Sequence, residues 1–141
     1  LFPKKNAPEY LHYGTLEEVL SKSDIVTLHC PLTEDSQNLI NQDRIAQMKK
    51  GAILINAARG PIVDSKALAD ALNSGYLRGA GVDVFEMEPP LPMDHPLLHS
   101  INTIVTPHIA FASDESMEIR AEIVFENIQK WMNKEQVNTI L

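Results

Sequence analysis

Short apolar segments alternate with helical segments along this chain, and this alternation restricts its fold more than any other feature. The apolar segments lie between Gly, Pro or polar turn residues, as β-strands do. The intervening segments begin with helix-capping residues or, in the last one, repeat apolar residues at spacings of three and four, as helices do. The predicted strands are 24–30, 52–57, 79–85 and 102–107, and the predicted helices are 15–23, 41–51, 64–75 and 113–133. Strands that alternate with helices predict right-handed β-α-β units and an α/β fold with a parallel, Rossmann-type sheet.

The helix ends carry recognisable capping residues. Thr15 and Glu18 have the three-residue spacing of a capping box. Asn41 is a predicted N-cap for the second helix, and either Asp64 or Ser65 is a predicted N-cap for the third. These signals predict where each helix begins.

Two expectations concern which surfaces are buried. The segment 52–57 is almost wholly apolar, which is typical of a parallel strand covered on both faces of its sheet. The last helix repeats apolar residues at helical spacing, which predicts one buried face. The residues of that face are Met117, Ala121, Val124, Ile128 and Trp131 or Met132.

Charge and composition exclude several classes of protein. The 141 residues include 12 basic and 19 acidic side chains, a net charge of −7, which argues against a nucleic-acid surface. No apolar run is long enough for a transmembrane helix, so we expect no membrane partner. The single cysteine, Cys30, cannot form an internal disulfide and fits a reducing cytoplasm. The chain begins without Met and without a signal-peptide pattern, so we expect it to be a piece of a longer protein.

Polar residues follow successive predicted strands. Arg59, Glu88 and His108 each lie just after such a strand, and ligands of open parallel sheets bind at the carboxyl ends of the strands. A guanidinium binds a carboxylate bidentately, and an imidazole exchanges protons near neutral pH. A carboxylate beside that imidazole orients it and favours its protonated form. The three side chains together fit the oxidation of an alcohol beside a carboxylate by a nicotinamide.

Each of these residues also has a simpler interpretation. Arg59 in a polar loop could be solvated, and so could Glu88, which precedes two prolines. Glu86 is a weaker candidate for chemistry than Glu88. Cys30 has no base near it in the sequence, so packing or a pocket wall explains it better than a nucleophilic role. The remaining histidines are interpreted as structural or surface residues, namely His12, His29, His95 and His99.

Three stretches resemble the D-isomer-specific 2-hydroxyacid dehydrogenases. They are "SDIVTLHCPLTEDSQNLIN", "MKKGAILINAARGPIVDSKALADALNSGYLRGAGVDVFEMEPP" and "NTIVTPHIA", and they occur in the order that the family has. The resemblance covers most of residues 23–110 and implies the C-terminal half of the family's NAD-binding domain. We therefore expect residues 1–134 to be part of that domain and residues 135–141 to be a tail towards a substrate domain.

The resemblance implies a role for each matching residue. Arg59 of "NAARG" would bind the substrate carboxylate, and His108 of "TPHIA" would be the acid/base. Glu88 would pair with His108, and the family's spacing from Arg to Glu favours Glu88 over Glu86. Asp83 would contact the nicotinamide carboxamide. The implied cofactor-binding residues are Cys30, Pro31, Asn56, Ala57, Ala58, Asp83 and His108.

The chain departs from the family pattern in three places. It has no GxGxxG loop, which in the family cradles the cofactor pyrophosphate. Phe111 stands where many members have Gly, and Ala57 stands where a hydroxyl residue is common. The family's substrate domain and its ribose-binding acid also precede the matching segment.

These observations lead to one main functional prediction. We expect part of an NAD-dependent oxidoreductase that transfers a hydride between nicotinamide and C2 of a 2-oxo or D-2-hydroxy acid. The resemblance also implies a cytoplasmic homodimer with a small-molecule substrate and no metal. We expect the isolated chain to be inactive. The alternatives are an NAD(H)-sensing, corepressor-like binding protein, a formate dehydrogenase (which carries Gln where Glu88 stands) and a self-associating structural fragment.

Overall fold

The computed structural model describes residues 10–87 and 90–138. Contacts divide the chain into two units, Leu1–His108 and Ile109–Leu141. The first unit contains the helices α1 (Leu16–Lys22), α2 (Gln42–Gln47) and α3 (Ser65–Asn73). Its strands are β1 (Ile25–Leu28), β2 (Ile53–Asn56), β3 (Gly79–Val82) and β4 (Thr103–Val105), and two short 3-10 helices span Gly60–Ile62 and Pro96–Leu98. The second unit contains α4 (Asp114–Met132).

The four strands form one parallel sheet in the order β1-β2-β3-β4. This arrangement confirms the predicted α/β, Rossmann-type fold as a partial domain. Each predicted strand contains the observed one and is two or three residues longer than it. No helix in residues 10–87 or 90–138 combines the length and apolarity that crossing a bilayer demands.

The predicted caps are confirmed at three helices. Thr15 and Glu18 form a reciprocal capping box at α1, and the Asn41 side chain accepts a hydrogen bond from the Arg44 amide at α2. Asp64, rather than Ser65, caps α3 through the Ala67 amide. Each cap satisfies a backbone amide that the first helical turn leaves without a partner.

The core covers one face of the sheet. Val26, Leu54 and Ala80 point from neighbouring strands into a cluster that includes Leu20 of α1 and Leu68 of α3. The strands of this sheet follow one another without a reversal of direction, so right-handed crossovers bring their connecting helices to the same side. The residues on the core side alternate along each strand with exposed or half-buried ones.

The expectation that β2 is covered on both faces is therefore wrong for the described residues. Ile55 is 37% exposed, and its neighbours on the same face include Ile25, 58% exposed, and Ile104, 72% exposed. The apolar run of β2 predicted a strand correctly, but its second face has no covering layer in this part of the chain.

The second unit confirms a helix but not a buried face. Ser113 caps α4 through the Ser116 amide, and the helix begins at Asp114. None of the residues of α4 is buried, and Met117 and Val124 are 47% and 53% exposed. The expected burial is wrong for the described residues, because this unit's described part offers no second helix or strand for the apolar face to pack against.

The predicted C-terminal tail, residues 135–141, is described only in part. Residues 135–138 form no strand, and residues 139–141 lie outside the described residues. The predicted division of the chain at residues 134 and 135 stays a prediction.

Candidate active site

The carboxyl ends of the four strands lie in one row. The parallel register aligns Leu28 with Asn56 and Asn56 with Val82, and Val82 with Val105. The segments that follow these residues are therefore neighbours along one edge of the sheet. This is the edge at which open parallel sheets bind their ligands.

A cleft of about 520 Å³ lies between the segments that follow β1 and β2. Its volume is within the range of roughly 300–1,000 Å³ that is typical of small-molecule sites. The residues that line it are His29, Cys30, Pro31, Leu32, Ala57, Ala58 and Arg59. The structure thus brings together five of the predicted site residues, while His29 and Leu32 are additions that their position beside Cys30 and Pro31 could have indicated.

The side chain of Asn56 shapes the turn that follows β2. Asn56 is 2% exposed; its Oδ1 accepts a hydrogen bond from the Ala58 amide at 3.1 Å, and its Nδ2 donates to the Arg59 carbonyl at 3.0 Å. An asparagine bonded to the backbone two and three residues ahead is a common device for a tight turn. Asn56 therefore acts inside the turn, while Ala57 and Ala58 line the cleft.

Arg59 lies at the cleft with an exposed side chain. Its Nη1 donates a hydrogen bond to the Ala58 carbonyl at 2.6 Å. A guanidinium has five N–H donors, so this contact orients the group and still permits a bidentate carboxylate. The exposure of the Arg59 side chain agrees with the simpler interpretation of a solvated arginine. Its position in the lining of the cleft agrees with a role in binding.

Asp83 connects the ends of β3 and β4. The residue is 5% exposed, and its Oδ1 accepts a hydrogen bond from the Thr106 hydroxyl at 2.5 Å. Its carbonyl accepts from the His108 amide at 2.8 Å, and its own amide donates to the Asn56 carbonyl at 2.9 Å. Asp83 thus links β2, β3 and the segment that carries His108. The role of Thr106 was not predicted, although its place two residues before His108 could have indicated it.

His108 has a backbone conformation that is uncommon for a residue with a side chain. Its φ angle is +57°, in the left-handed region, and its side chain is half-buried. Such conformations cost free energy and persist where surrounding contacts hold them. The hydrogen bond to the Asp83 carbonyl is one of these contacts.

The acidic segment after β3 is described up to Met87. Glu88, the predicted partner of His108, lies outside the described residues. Glu86, the weaker candidate, binds His95, with 3.2 Å between Glu86 Oε2 and His95 Nε2. His95 is 8% exposed, which agrees with the structural role expected for it.

The pKa of the Glu86 carboxyl is lower than its ordinary value of 4.5. Burial alone would raise this pKa, because it disfavours the charged form. Hydrogen bonds from Ser65, from the Glu86 backbone amide and from His95 favour the ionised form and outweigh the burial.

The predicted site residues fall into two groups. The residues around the 520 Å³ cleft follow β1 and β2, whereas Asp83 and His108 follow β3 and β4. The hydrogen bond from Asp83 to Asn56 joins the groups. A separate apolar pocket of about 320 Å³ lies beside the second group and is lined by Phe85, Leu91, Leu98, Val105, Thr106 and Pro107.

These residues fit one portion of a dinucleotide cofactor. The small side chains of Ala57 and Ala58 let a flat ligand approach the strand-end backbone closely, and Cys30 and Pro31 form the opposite wall. Within residues 10–87 and 90–138, no three His, Cys, Asp or Glu residues are grouped as metal ligands.

Comparison with known proteins identifies the family of this arrangement. Residues 2–110 match the family described as "D-isomer specific 2-hydroxyacid dehydrogenase, NAD binding domain". The chain is 48% identical over 118 residues to a glyoxylate reductase of Thermofilum pendens, and the alignment covers 84% of this chain and 34% of that protein. It is 42% identical over 129 residues to a D-lactate dehydrogenase of Treponema pallidum, covering 83% of this chain and 39% of that protein.

A solved structure shows the same fold. The structure of a D-lactate dehydrogenase with NAD⁺ from Lactobacillus jensenii matches with a TM-score of 0.82 and 34% identity. The match covers 94% of this chain and 43% of that one. The chain spans about two fifths of the length of the first curated relatives that it matches.

Proposed function

Because the chain belongs to the D-isomer specific 2-hydroxyacid dehydrogenases, in their NAD-binding domain, we propose that it provides one side of the active site of an NAD-dependent enzyme. The proposed reaction interconverts a small 2-oxo acid and the corresponding D-2-hydroxy acid. The observation that supports it best is the alignment of Arg59 and His108 at the carboxyl edge of one parallel sheet. The relatives above carry the names of reductases and dehydrogenases, which favours an enzyme over the NAD(H)-sensing alternative.

Arg59 is the proposed carboxylate-binding residue. Its guanidinium lies at the cleft and can bind both oxygens of a substrate carboxylate. The positive charge beside the 2-oxo group also stabilises the negative charge that develops on its oxygen during reduction. We therefore assign Arg59 to substrate binding and to polarisation of the carbonyl.

His108 is the proposed acid/base. NADH, when bound, supplies the hydride that reduces C2 of the oxo acid. The protonated imidazole of His108 then donates a proton to the C2 oxygen, and in the reverse direction the neutral ring accepts it. Glu88 is proposed, from the resemblance, to stand beside this ring and stabilise its protonated form.

The remaining predicted residues are proposed to bind the cofactor. Asp83 is assigned to the nicotinamide carboxamide, because its buried carboxylate is held at the strand end by Thr106. Cys30 and Pro31 are assigned to the adenine side, and the turn of Asn56, Ala57 and Ala58 to backbone contacts with the cofactor. We also propose, from the resemblance, that the full-length protein is a cytoplasmic homodimer.

A histidine substitution tests this function directly. The full-length protein is assayed with NADH and glyoxylate or pyruvate, and NADH binding is measured separately by fluorescence. We expect His108→Ala to lower kcat about 10²- to 10⁴-fold, the usual contribution of general acid–base catalysis, with little change in the Kd for NADH. His12→Ala, at an exposed position outside the site, is the control. A His108→Ala protein with normal kcat would exclude the proposed role.

A further inference from the structure

The turn that carries Arg59 is in direct backbone contact with the segment after β3. A Cβ atom at Gly60 would lie 1.9 Å from both the carbonyl carbon and the carbonyl oxygen of Phe85, and 2.5 Å from the Glu86 nitrogen. Real side chains never approach backbone atoms so closely, so this contact requires glycine. Gly60, the residue after Arg59, therefore packs against the backbone of Phe85 and Glu86. Glu88 follows two residues after Glu86 in the sequence.

The side chain of Glu86 ties this segment to the residue that precedes the 3-10 helix Pro96–Leu98. Its Oε2 lies 3.2 Å from His95 Nε2. His95 is 8% exposed. The partner of the carboxylate is thus buried, and a buried partner holds a side chain in one position better than an exposed one does.

His95 is held in turn by its own contacts. Its Nδ1 accepts a hydrogen bond from the Leu97 amide at 3.3 Å. Because Nδ1 accepts this hydrogen bond, the proton of the neutral imidazole is on Nε2. The Nε2–H group then donates a hydrogen bond to the Glu86 carboxylate. The ring also contacts the Phe85 ring edge-on, with 5.3 Å between the ring centroids. These contacts connect the 3-10 helix Pro96–Leu98 to the segment after β3.

We propose that Glu86 and His95 are positioning residues that hold the segment leading to Glu88 against the Arg59 turn. The inference rests on the proposed function, because the Glu86–His95 pair is proposed to align Arg59 with Glu88, two residues of the proposed active site. The pair touches neither substrate nor cofactor and acts through the backbone between Glu86 and Glu88. Loss of the pair lets this segment move away from Gly60, and Glu88, the residue proposed to stabilise the protonated ring of His108, is then misplaced.

The test separates positioning from simple stabilisation. His95→Ala, Glu86→Met and the conservative His95→Gln are made in the full-length protein, with His99→Ala as the matched control. His99 lies in the same segment, but its ring contacts the Met93 carbonyl and not Glu86. The measurements are kcat, KM for the oxo acid, the pH profile of kcat for reduction, the Kd for NADH and the melting temperature. The Cε1–H NMR signal of His108 is also recorded without cofactor.

We expect His95→Ala to lower kcat by about ten- to a hundredfold, the cost of misplacing a catalytic group by about 1 Å. The alkaline limb of the pH profile is expected to move to lower pH, because a protonated ring that loses its carboxylate neighbour gives up its proton more readily. The His108 NMR signal is expected to shift, and the Kd for NADH to stay within about twofold. Glu86→Met, which has no carboxylate or amide oxygen to accept from His95, should have the same direction of effect, and His95→Gln should recover most of kcat because its amide can donate to Glu86.

Two outcomes would overturn the inference. The first is a lower melting temperature with an unchanged pH profile and an unchanged His108 signal, which would identify the pair as a stabilising contact. The second is a His99→Ala protein that loses as much kcat as His95→Ala does. If His95→Ala does not fold, Glu86→Met, which keeps a side chain of similar length and removes the acceptor oxygens, decides the question by the same criteria. A failure of the proposed function is distinguishable, because His108→Ala would then retain its activity.

Discussion

The backbone amide of His108 donates a hydrogen bond of 2.8 Å to the carbonyl oxygen of Asp83. This bond joins the residue that follows β3 to the residue that the sequence predicts as the acid/base. The left-handed conformation of His108 turns the chain at this point, and the Asp83 carbonyl helps to hold that turn. Asp83 is in turn bonded to Asn56, so three strand ends share one backbone network.

Thr106 is expected to be important for the stability of this network. Thr106→Val removes the hydroxyl that donates to the buried Asp83 carboxylate and keeps the shape of the side chain. We expect a loss of about 1–3 kcal/mol in the free energy of unfolding, the usual cost of depriving a buried polar group of a partner. Urea denaturation measures it. Thr103→Val is the control, because the Thr103 hydroxyl donates to a backbone carbonyl at an exposed position; an equal loss in both variants would contradict the prediction.

Gly60 is expected to tolerate no larger residue. Gly60→Ala puts a methyl group within 1.9 Å of the Phe85 backbone, so one of the two segments must move. We expect a loss of about 3 kcal/mol or more, at the upper end of what overpacking costs. Gly81→Ala is the control, since its nearest neighbour would be the Ile55 side chain at an ordinary 3.9 Å. Equal denaturation midpoints for the two variants would show that the Gly60 contact can relax.

Glu86 is expected to make the stability of the fold depend on pH. Its pKa in the folded protein lies below the ordinary 4.5, so the ionised carboxylate stabilises the fold. This contribution is present above pH 4.5 and is lost as the pH falls through the folded-state pKa. The difference in unfolding free energy between the wild type and Glu86→Gln should therefore be largest near neutral pH and should decrease below pH 4.5. Denaturation series at several pH values measure it, with Glu34→Gln as a control at an exposed position; a difference that grows towards acid would have the wrong sign.

Arg59→Lys is expected to act on substrate binding in the full-length protein. Lysine keeps the charge but loses the planar fork that binds both carboxylate oxygens. We expect KM for the oxo acid to rise about tenfold or more, in keeping with the 1.5–3 kcal/mol of a charged hydrogen bond, with a smaller loss in kcat. Arg78→Lys, at a strand-amino-end position away from the cleft, is the control. An unchanged KM in Arg59→Lys would remove the assignment of this residue to the carboxylate.

The isolated 141-residue chain is expected to be inactive. It contains no GxGxxG loop for the cofactor pyrophosphate, and that loop supplies backbone amides at a helix N-terminus. An assay of the purified chain with NADH and several 2-oxo acids measures this, with the full-length protein as the reference. Clear turnover by the purified chain would show that these 141 residues suffice for catalysis and would contradict the prediction.

The positions of the strands and helices could be predicted because they depend on local properties. Apolar runs bounded by turn residues indicated all four strands, and side chains such as Thr15 and Asn41 indicated helix starts, since a cap acts on amides two or three residues away. The order of the elements then predicted a parallel sheet with polar residues at its carboxyl edge. Burial was harder to predict: the apolar residues of β2 and α4 indicated faces that the described residues do not cover.

The sequence by itself therefore determined the element types, their order and the row of strand ends that carries Arg59 and His108. Only the tertiary structure decided that Gly60 packs against Phe85 and that His95, nine residues along the chain, binds Glu86. The physical reason is that capping and periodicity act between near neighbours in the chain. Backbone packing and buried side-chain hydrogen bonds depend on where distant segments meet, and the sheet register sets those meeting points.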